Sequence, residues 1–141
     1  MSFIDAIKSV FSQYATFSGR ARRSEFWFWT LFTFVVYVVV GIIAGPMMVS
    51  GMDVQTGELS GSYFGGSAIY GIVGLALLLP TLAVSVRRLH DQDKSGFFWF
   101  MGLIPFVGWI IMIVFYATPG TVGPNRFGPD PKAVTAPQTA V

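Results

Sequence analysis

Arg87-Arg88-Leu89-His90-Asp91-Gln92-Asp93-Lys94-Ser95-Gly96 is the stretch whose reading decides the fold. It holds five of the chain's charged side chains, which comprise nine Lys and Arg and seven Asp and Glu, and it holds the only His. Residues 68–86 before it and 97–117 after it contain no Asp, Glu, Lys or Arg. Both runs are of membrane length, and charge is expensive inside lipid, so a polar hinge between them belongs at a lipid–water boundary. The rest of the chain is oriented from there.

The composition agrees. Apolar residues make up 53% of the 141 and charged ones 11%, against roughly 25% charged in an ordinary soluble domain. So little charge cannot cover the surface of a soluble protein of this size, which makes lipid part of the solvent. Cys is absent, which excludes disulfides, iron–sulfur clusters and thiolate zinc sites. A net charge of +2 is too small to point to nucleic acid, and no cofactor is implied.

Working outward, residues 2–16 read as an amphipathic helix. Phe3, Ile7, Val10, Phe11 and Tyr14 recur at helical spacing, with Asp5, Lys8, Ser9, Ser12 and Gln13 on the other face. Such a helix lies flat at the interface or packs on the ends of its own protein. Residues 17–25 form a basic turn with Gly19 at the bend, followed by Glu25 where the next helix should start, favoured by its dipole and within reach of Arg22. Residues 26–48 make the first span, about 34 Å as a helix and enough to cross a hydrocarbon core of about 30 Å. Gly41 and Gly45 offer a close-approach face there, and Pro46 is expected to help end the helix. A Gly- and Ser-rich loop over 49–67 leads to the second span, 68–86, in which Pro80 predicts a kink partly compensated by Thr81 and Ser85. Residues 1–131 are read as one membrane domain, and 132–141 as a disordered tail.

Lys8, Arg20, Arg22 and Arg23 precede the first span, the loop 49–67 has no Lys or Arg, and the hinge has Arg87, Arg88 and Lys94. The positive-inside rule therefore places the N-terminus and the hinge in the cytoplasm and the loop outside, and Trp27, Trp29 and Trp99 mark the inner boundary. The run 97–117 leaves two readings open. A third full crossing, kinked at Pro105, is favoured because Pro is tolerated in membrane helices, but it strands Arg126 and Lys132 outside. A re-entrant hairpin broken at Gly102, Pro105 and Gly108 returns the tail to the cytoplasm.

Three local patterns stand in order between the apolar runs: FSGRARRSEFW at 17–27, RRLHDQDKSGFFW at 87–99 and GPNRFGPDP at 123–131. Together they resemble the domain of unknown function 805 family of small bacterial inner-membrane proteins, over a stretch from about Phe3 to Pro131. Asp93 stands where that family often has Gly, and Asp tolerates the left-handed turn such a Gly implies. The resemblance implies a bacterial inner-membrane location and no mechanism.

His90 with Asp91 and Ser95 invites a nucleophilic reading, which requires a Ser–His–acid geometry in space. The plainer reading is a turn that Asp91 caps and in which His90 packs at the interface. One His without Cys makes a poor metal site. The expected site is a polar interfacial cluster of Arg20, Arg23, Glu25, Arg87, Arg88, His90 and Asp91, which Asn125 and Arg126 join only if 97–117 is re-entrant. The fold class expected is an all-α integral membrane protein of three transmembrane helices, over 26–48, 68–86 and 97–117, with an N-terminal interfacial helix. The expected role is a non-enzymatic scaffold or accessory factor that meets membrane lipids, a membrane protein partner or a second copy of itself. The alternative is a small channel or transporter subunit.

Overall fold

The computed structural model describes residues 1–133; most of the tail expected to be disordered, residues 134–141, lies outside the described residues. Four α-helices and one 3-10 helix make up the described chain: α1 (Phe3–Ser12), α2 (Arg23–Ser50), α3 (Gly61–Asp91), a 3-10 helix (Gly96–Leu103) and α4 (Val107–Ala117). Two isolated β-bridges are the only extended pairing among these residues. The chain divides into two compact units, one formed by Met1–Trp29 with the chain from Pro80 onward, the other by Thr30–Leu79.

In the second unit, α2 and α3 pair through small residues. A Cβ on Gly66 would stand 2.7 Å from the Ala44 carbonyl oxygen and 2.7 Å from Met48 Cγ, so only Gly lets α3 come this close to α2. A Cβ on Gly41 would stand 3.2 Å from the Tyr70 hydroxyl, a milder contact with the end of a side chain, whereas Gly45 faces open space. Gly65 and Gly66 therefore belong to a helix and not to the expected loop, and α3 starts at Gly61. Pro46 does not end α2, which continues to Ser50. The Met47 carbonyl closes that last turn by accepting from the Gly51 N–H and the Ser50 and Ser62 hydroxyls. Asp53 organises the connecting loop by accepting from the N–H groups of Gln55 and Thr56, which hold its carboxyl below the ordinary carboxylate value.

Helices α2 and α3 are each long and apolar enough to cross a membrane by length and composition. Only 11% and 28% of their apolar stretches are buried, and apolar side chains project all round, among them Phe34, Val38 and Ile42 on α2 and Ile72, Leu75 and Leu78 on α3. The core helix of a soluble protein would be mostly covered. Helices that are apolar on all sides and so little covered are compatible with crossing a membrane.

In the first unit, Ser2 caps α1 by accepting from the Asp5 N–H at 3.1 Å. The helix buries Ala6 and Val10 and sets Phe3 edge-on against Phe28 and Phe11 edge-on against Trp29. It is packed on the start of α2, the second of the two arrangements open to it. The last turns of α3 run through Arg87 and Arg88 to Asp91, so half of the expected hinge is helical. Asp93 then takes the left-handed conformation at φ 58°.

The run 97–117 is two arms and not one kinked helix. Ser95 caps the 3-10 helix, and the chain reverses at Phe106, where the Val107 N–H reaches the Pro105 carbonyl at 2.7 Å across a positive φ of 60°, a γ-turn of the strained hand. A Cβ on Gly108 would collide with the Met101 carbonyl, and one on Gly102 would lie 3.0 Å from Met112 Cγ. The two glycines let the arms lie against each other. Helix α4 has 11 residues, about 16 Å and half of a hydrocarbon core.

Candidate functional site: a buried ion-pair cluster

Sequence places three segments around the end of α3. Gly19, in the left-handed region at φ 87°, turns the chain between α1 and α2 and brings Arg20 to the C-terminus of α3. The Ala21 N–H bonds the Arg87 carbonyl at 3.0 Å, tying this turn to the last turns of α3. From the other side comes the connector after α4.

Asp91, 2% exposed, is the centre. Its Oδ1 accepts from Arg20 Nε at 3.0 Å and its Oδ2 from Arg88 Nη1. Arg20 extends four further donor contacts to backbone carbonyls: 2.6 Å to Thr121, 2.6 Å to Gly123, 3.4 Å to Gly128 and 3.4 Å to Asp91 itself. Arg88, fully buried, donates from Nε to the Tyr116 carbonyl at 3.1 Å and from Nη2 to the Thr118 carbonyl. A buried ion pair is tolerable only when the remaining donors and lone pairs are satisfied; here the carbonyls of residues 116–128 supply the acceptors.

A second pair lies alongside. Arg87 Nη1 bonds Glu25 Oε1 at 3.0 Å, and the Ser9 hydroxyl donates to the same oxygen at 2.9 Å, which ties α1, α2 and α3 together. Glu25 sits in the first turn of α2 as expected, but its ionic partner is Arg87, 62 residues away, and not Arg22. Arg87 Nε and Nη2 have no acceptor among the described residues.

His90 joins backbone to backbone. Its Nδ1 lies 3.1 Å from the Gly19 carbonyl oxygen, its ring stacks on Phe127 with centroids 3.9 Å apart, and its own carbonyl accepts from Asn125 Nδ2 at 2.9 Å. Phe127 is presented by a tight turn in which Asn125 and Gly128 exchange two 3.0 Å bonds. The nucleophilic arrangement is not built: both oxygens of Asp91 take guanidinium groups, and Ser95 Oγ accepts the Phe97 N–H. The structure thus brings Arg20, Glu25, Arg87, Arg88, His90 and Asp91 into one buried assembly, with Asn125 half-buried at its edge. Arg126 lies on its exposed edge, paired with Asp93 at 3.3 Å. Arg23 also lies on the rim, bonding the Ala117 carbonyl at 3.3 Å.

Sequence reasoning missed Thr121, Gly120, Gln92 and Phe127. Gln92 Nε2 donates to the Phe115 and Thr118 carbonyls, and the Thr121 N–H bonds the Asp91 carbonyl at 2.7 Å. The only signal was the density of Gly and Pro after residue 118, which marks a shaped connector. Asp130 shapes it further by accepting the N–H groups of Lys132 and Gly123, which hold its carboxyl below the ordinary 3.8.

Gly120 gives a direct test of this packing. A Cβ there would fall on the Asp91 carboxylate and stand 2.8 Å from the Asp91 carbonyl oxygen. Gly120→Ala should lower the midpoint of detergent-induced unfolding by the equivalent of about 1–3 kcal/mol. Gly71→Ala, in open space within α3, should be neutral or stabilising by up to about 1 kcal/mol. Equal behaviour of the two variants would mean the connector does not seat on Asp91.

Two long apolar helices and a charged assembly at the end of one of them define the class: an all-α protein with membrane-length helices. The comparisons then place it. Residues 14–129 match the family described as "Protein of unknown function (DUF805)", and the chain belongs to that family. It is 40% identical over 124 residues to "Inner membrane protein YhaI" of Escherichia coli K12, covering 88% of this chain and 92% of that protein. It is likewise 40% identical over 132 residues to "Inner membrane protein YhaH" of the same strain, covering 92% and 98%. "Uncharacterized protein YiiR" is 33% identical over 97 residues, 69% of this chain and 53% of that protein. No solved structure matches.

Proposed function

We propose that this chain is a non-enzymatic inner-membrane scaffold or accessory protein whose charged end is held rigid at the cytoplasmic boundary. The observation that carries the reading is the engagement of Asp91: both carboxylate oxygens and both arginine partners are buried and bonded to one another and to backbone carbonyls. Groups held this way fix geometry and are not presented to a substrate. The relatives named inner membrane proteins supply the location by similarity.

All nine Lys and Arg residues lie in the unit built from Met1–Trp29 and the chain from Pro80 onward, and none in Thr30–Leu79. By the positive-inside rule the N-terminus, the end of α3 and the connector after α4 face the cytoplasm, and the loop at Asp53 faces outward. Two crossings, α2 and α3, then accompany a re-entrant hairpin over 97–117, which leaves Arg126 and Lys132 on the basic side. In this arrangement α1 sits at the boundary against α2. The alternative, a channel or transporter subunit, is opposed by the stretch 30–79, where the only charged residues are Asp53 and Glu58 in the loop. Ion and proton pathways usually carry ionisable groups at membrane depth.

Purified protein reconstituted in proteoliposomes distinguishes the two. The scaffold reading expects no ion or solute flux above protein-free vesicles, together with a stoichiometric membrane partner on mild purification. Flux that vanishes when α2 or α3 is altered would overturn it in favour of the channel.

A further inference from the structure

His90 is the chain's only histidine, and it is 8% exposed where α3 ends. A carbonyl oxygen only accepts, so the 3.1 Å contact with Gly19 makes Nδ1 the nitrogen that carries a proton. Nε2 has no partner among the described residues. The ring lies flat on Phe127, 4° from parallel. Beside it, Asn125 Nδ2 donates both to the His90 carbonyl and to the Thr121 hydroxyl, at 2.9 and 2.8 Å. The turn 125–128 is tied down otherwise by exposed or long contacts: Arg126 to the carboxylate and carbonyl of Asp93, and Arg20 to the Gly128 carbonyl at 3.4 Å.

Charged groups approach the ring from each element packed on it. On α3, Asp91 and Arg88 are bound to each other, and Arg20 of the preceding turn shares that carboxylate. From the connector comes Arg126, whose guanidinium lies 4.7 Å from the centroid of the same Phe127 ring. Its pair with Asp93 is open to water, where such a pair is screened. The neighbouring carboxylates therefore each face a guanidinium already. Burial pushes the His90 ring below its ordinary 6.5; the Gly19 carbonyl works against that shift and the Arg126 charge adds to it.

We propose that the His90–Phe127 stack is a proton-operated latch, which holds the turn 125–128 on the end of α3 while the ring is neutral and releases it when Nε2 is protonated. Protonation puts a second cation beside a ring that already carries a guanidinium, and adds an N–H with no acceptor among the described residues. Lifting the turn gives both to water. The closed state binds this proton more weakly than the open one, so acid favours opening. The hold is complete above the ordinary 6.5 and fades as the pH falls through the lowered value of the closed state. Arg20 keeps its bond to Asp91 throughout, so the ion-pair cluster stays shut while the latch opens. The latch is independent of whether the chain is a scaffold or a channel.

A lone histidine makes its own reporter. The full chain in detergent micelles, with labelled His, Asn and Phe, is titrated by NMR from about pH 8 to about pH 5. The His90 ring should titrate below 6.5, and the Asn125 amide and Phe127 ring signals should move with the same midpoint. Protease cleavage within residues 123–131 gives a second readout. The open population should rise roughly tenfold for each unit that separates the ring's pKa in the two states. His90→Phe keeps an aromatic stack and cannot titrate, so its cleavage, compared at each pH with wild type, should show no such rise. Arg126→Gln, at an exposed position, should raise the ring's midpoint and shrink the response. A ring that titrates while Asn125 and Phe127 stay unchanged would overturn the latch. So would an equal acid response in wild type and His90→Phe, or a ring midpoint at or above 6.5.

Discussion

Asp91→Asn should cost about 3–5 kcal/mol of stability, the largest effect of any single change in this chain. The loss follows from what stays behind. Arg20 and Arg88 would remain buried, each with a full charge and one neutral amide between them, and an uncompensated buried charge is far more expensive than the missing attraction alone. The change also acts at a distance. Arg20 reaches the carbonyls of Thr121 and Gly123 only while Asp91 holds its guanidinium, so the connector after α4 should loosen with it. Unfolding in mixed detergent micelles gives the first readout, and protease cleavage within residues 118–131 gives the second. A variant with the wild-type midpoint and an intact connector would show that the cluster does not hold the fold.

The Glu25–Arg87 pair should give the next largest effect, with a different signature. Glu25→Gln removes the ionic partner of a buried guanidinium whose Nε and Nη2 already have no acceptor among the described residues. Arg87→Met leaves a carboxylate that is 3% exposed with only the Ser9 hydroxyl as a named donor. Each single change should lose about 3 kcal/mol. Glu25→Leu with Arg87→Met replaces the pair by apolar groups, and such replacements are often neutral. With Glu25→Leu as the matching single change, the double variant should therefore fall short of the summed losses by roughly 3–6 kcal/mol. Additive losses would mean that α2 and α3 are joined by packing alone.

Much of this could be read from the residues, for a physical reason in each case. The lengths of the apolar runs follow from hydropathy, which is local. Gly19 and Asp93 adopt the left-handed turns their residue types allow, and Glu25 takes the helix position its charge favours. Partner choice is not local. Nothing in the spacing says that Glu25 takes Arg87 and leaves Arg22 to the Pro131 carbonyl. Backbone carbonyls are also silent in a sequence, and those of Tyr116, Thr118, Thr121 and Gly123 satisfy two of the buried arginines. The start of α3 was hidden because Gly and Ser signal a loop in water, whereas Gly66 serves here to admit the Ala44 backbone. Pro105 and Gly108 did carry the break in 97–117, but tolerance of Pro in membrane helices favoured the other reading.

Cysteine labelling from each side of the membrane tests the account most directly, since the chain has no native Cys. Ser12, Thr56 and Val122 are all exposed, Val122 at 96%. Single variants Ser12→Cys and Val122→Cys should react only with reagent on the cytoplasmic side, and Thr56→Cys only with reagent on the other. If Val122→Cys is reached from the side opposite Ser12→Cys, the connector cannot lie against Arg20 and Asp91 in the membrane, and the buried cluster does not form.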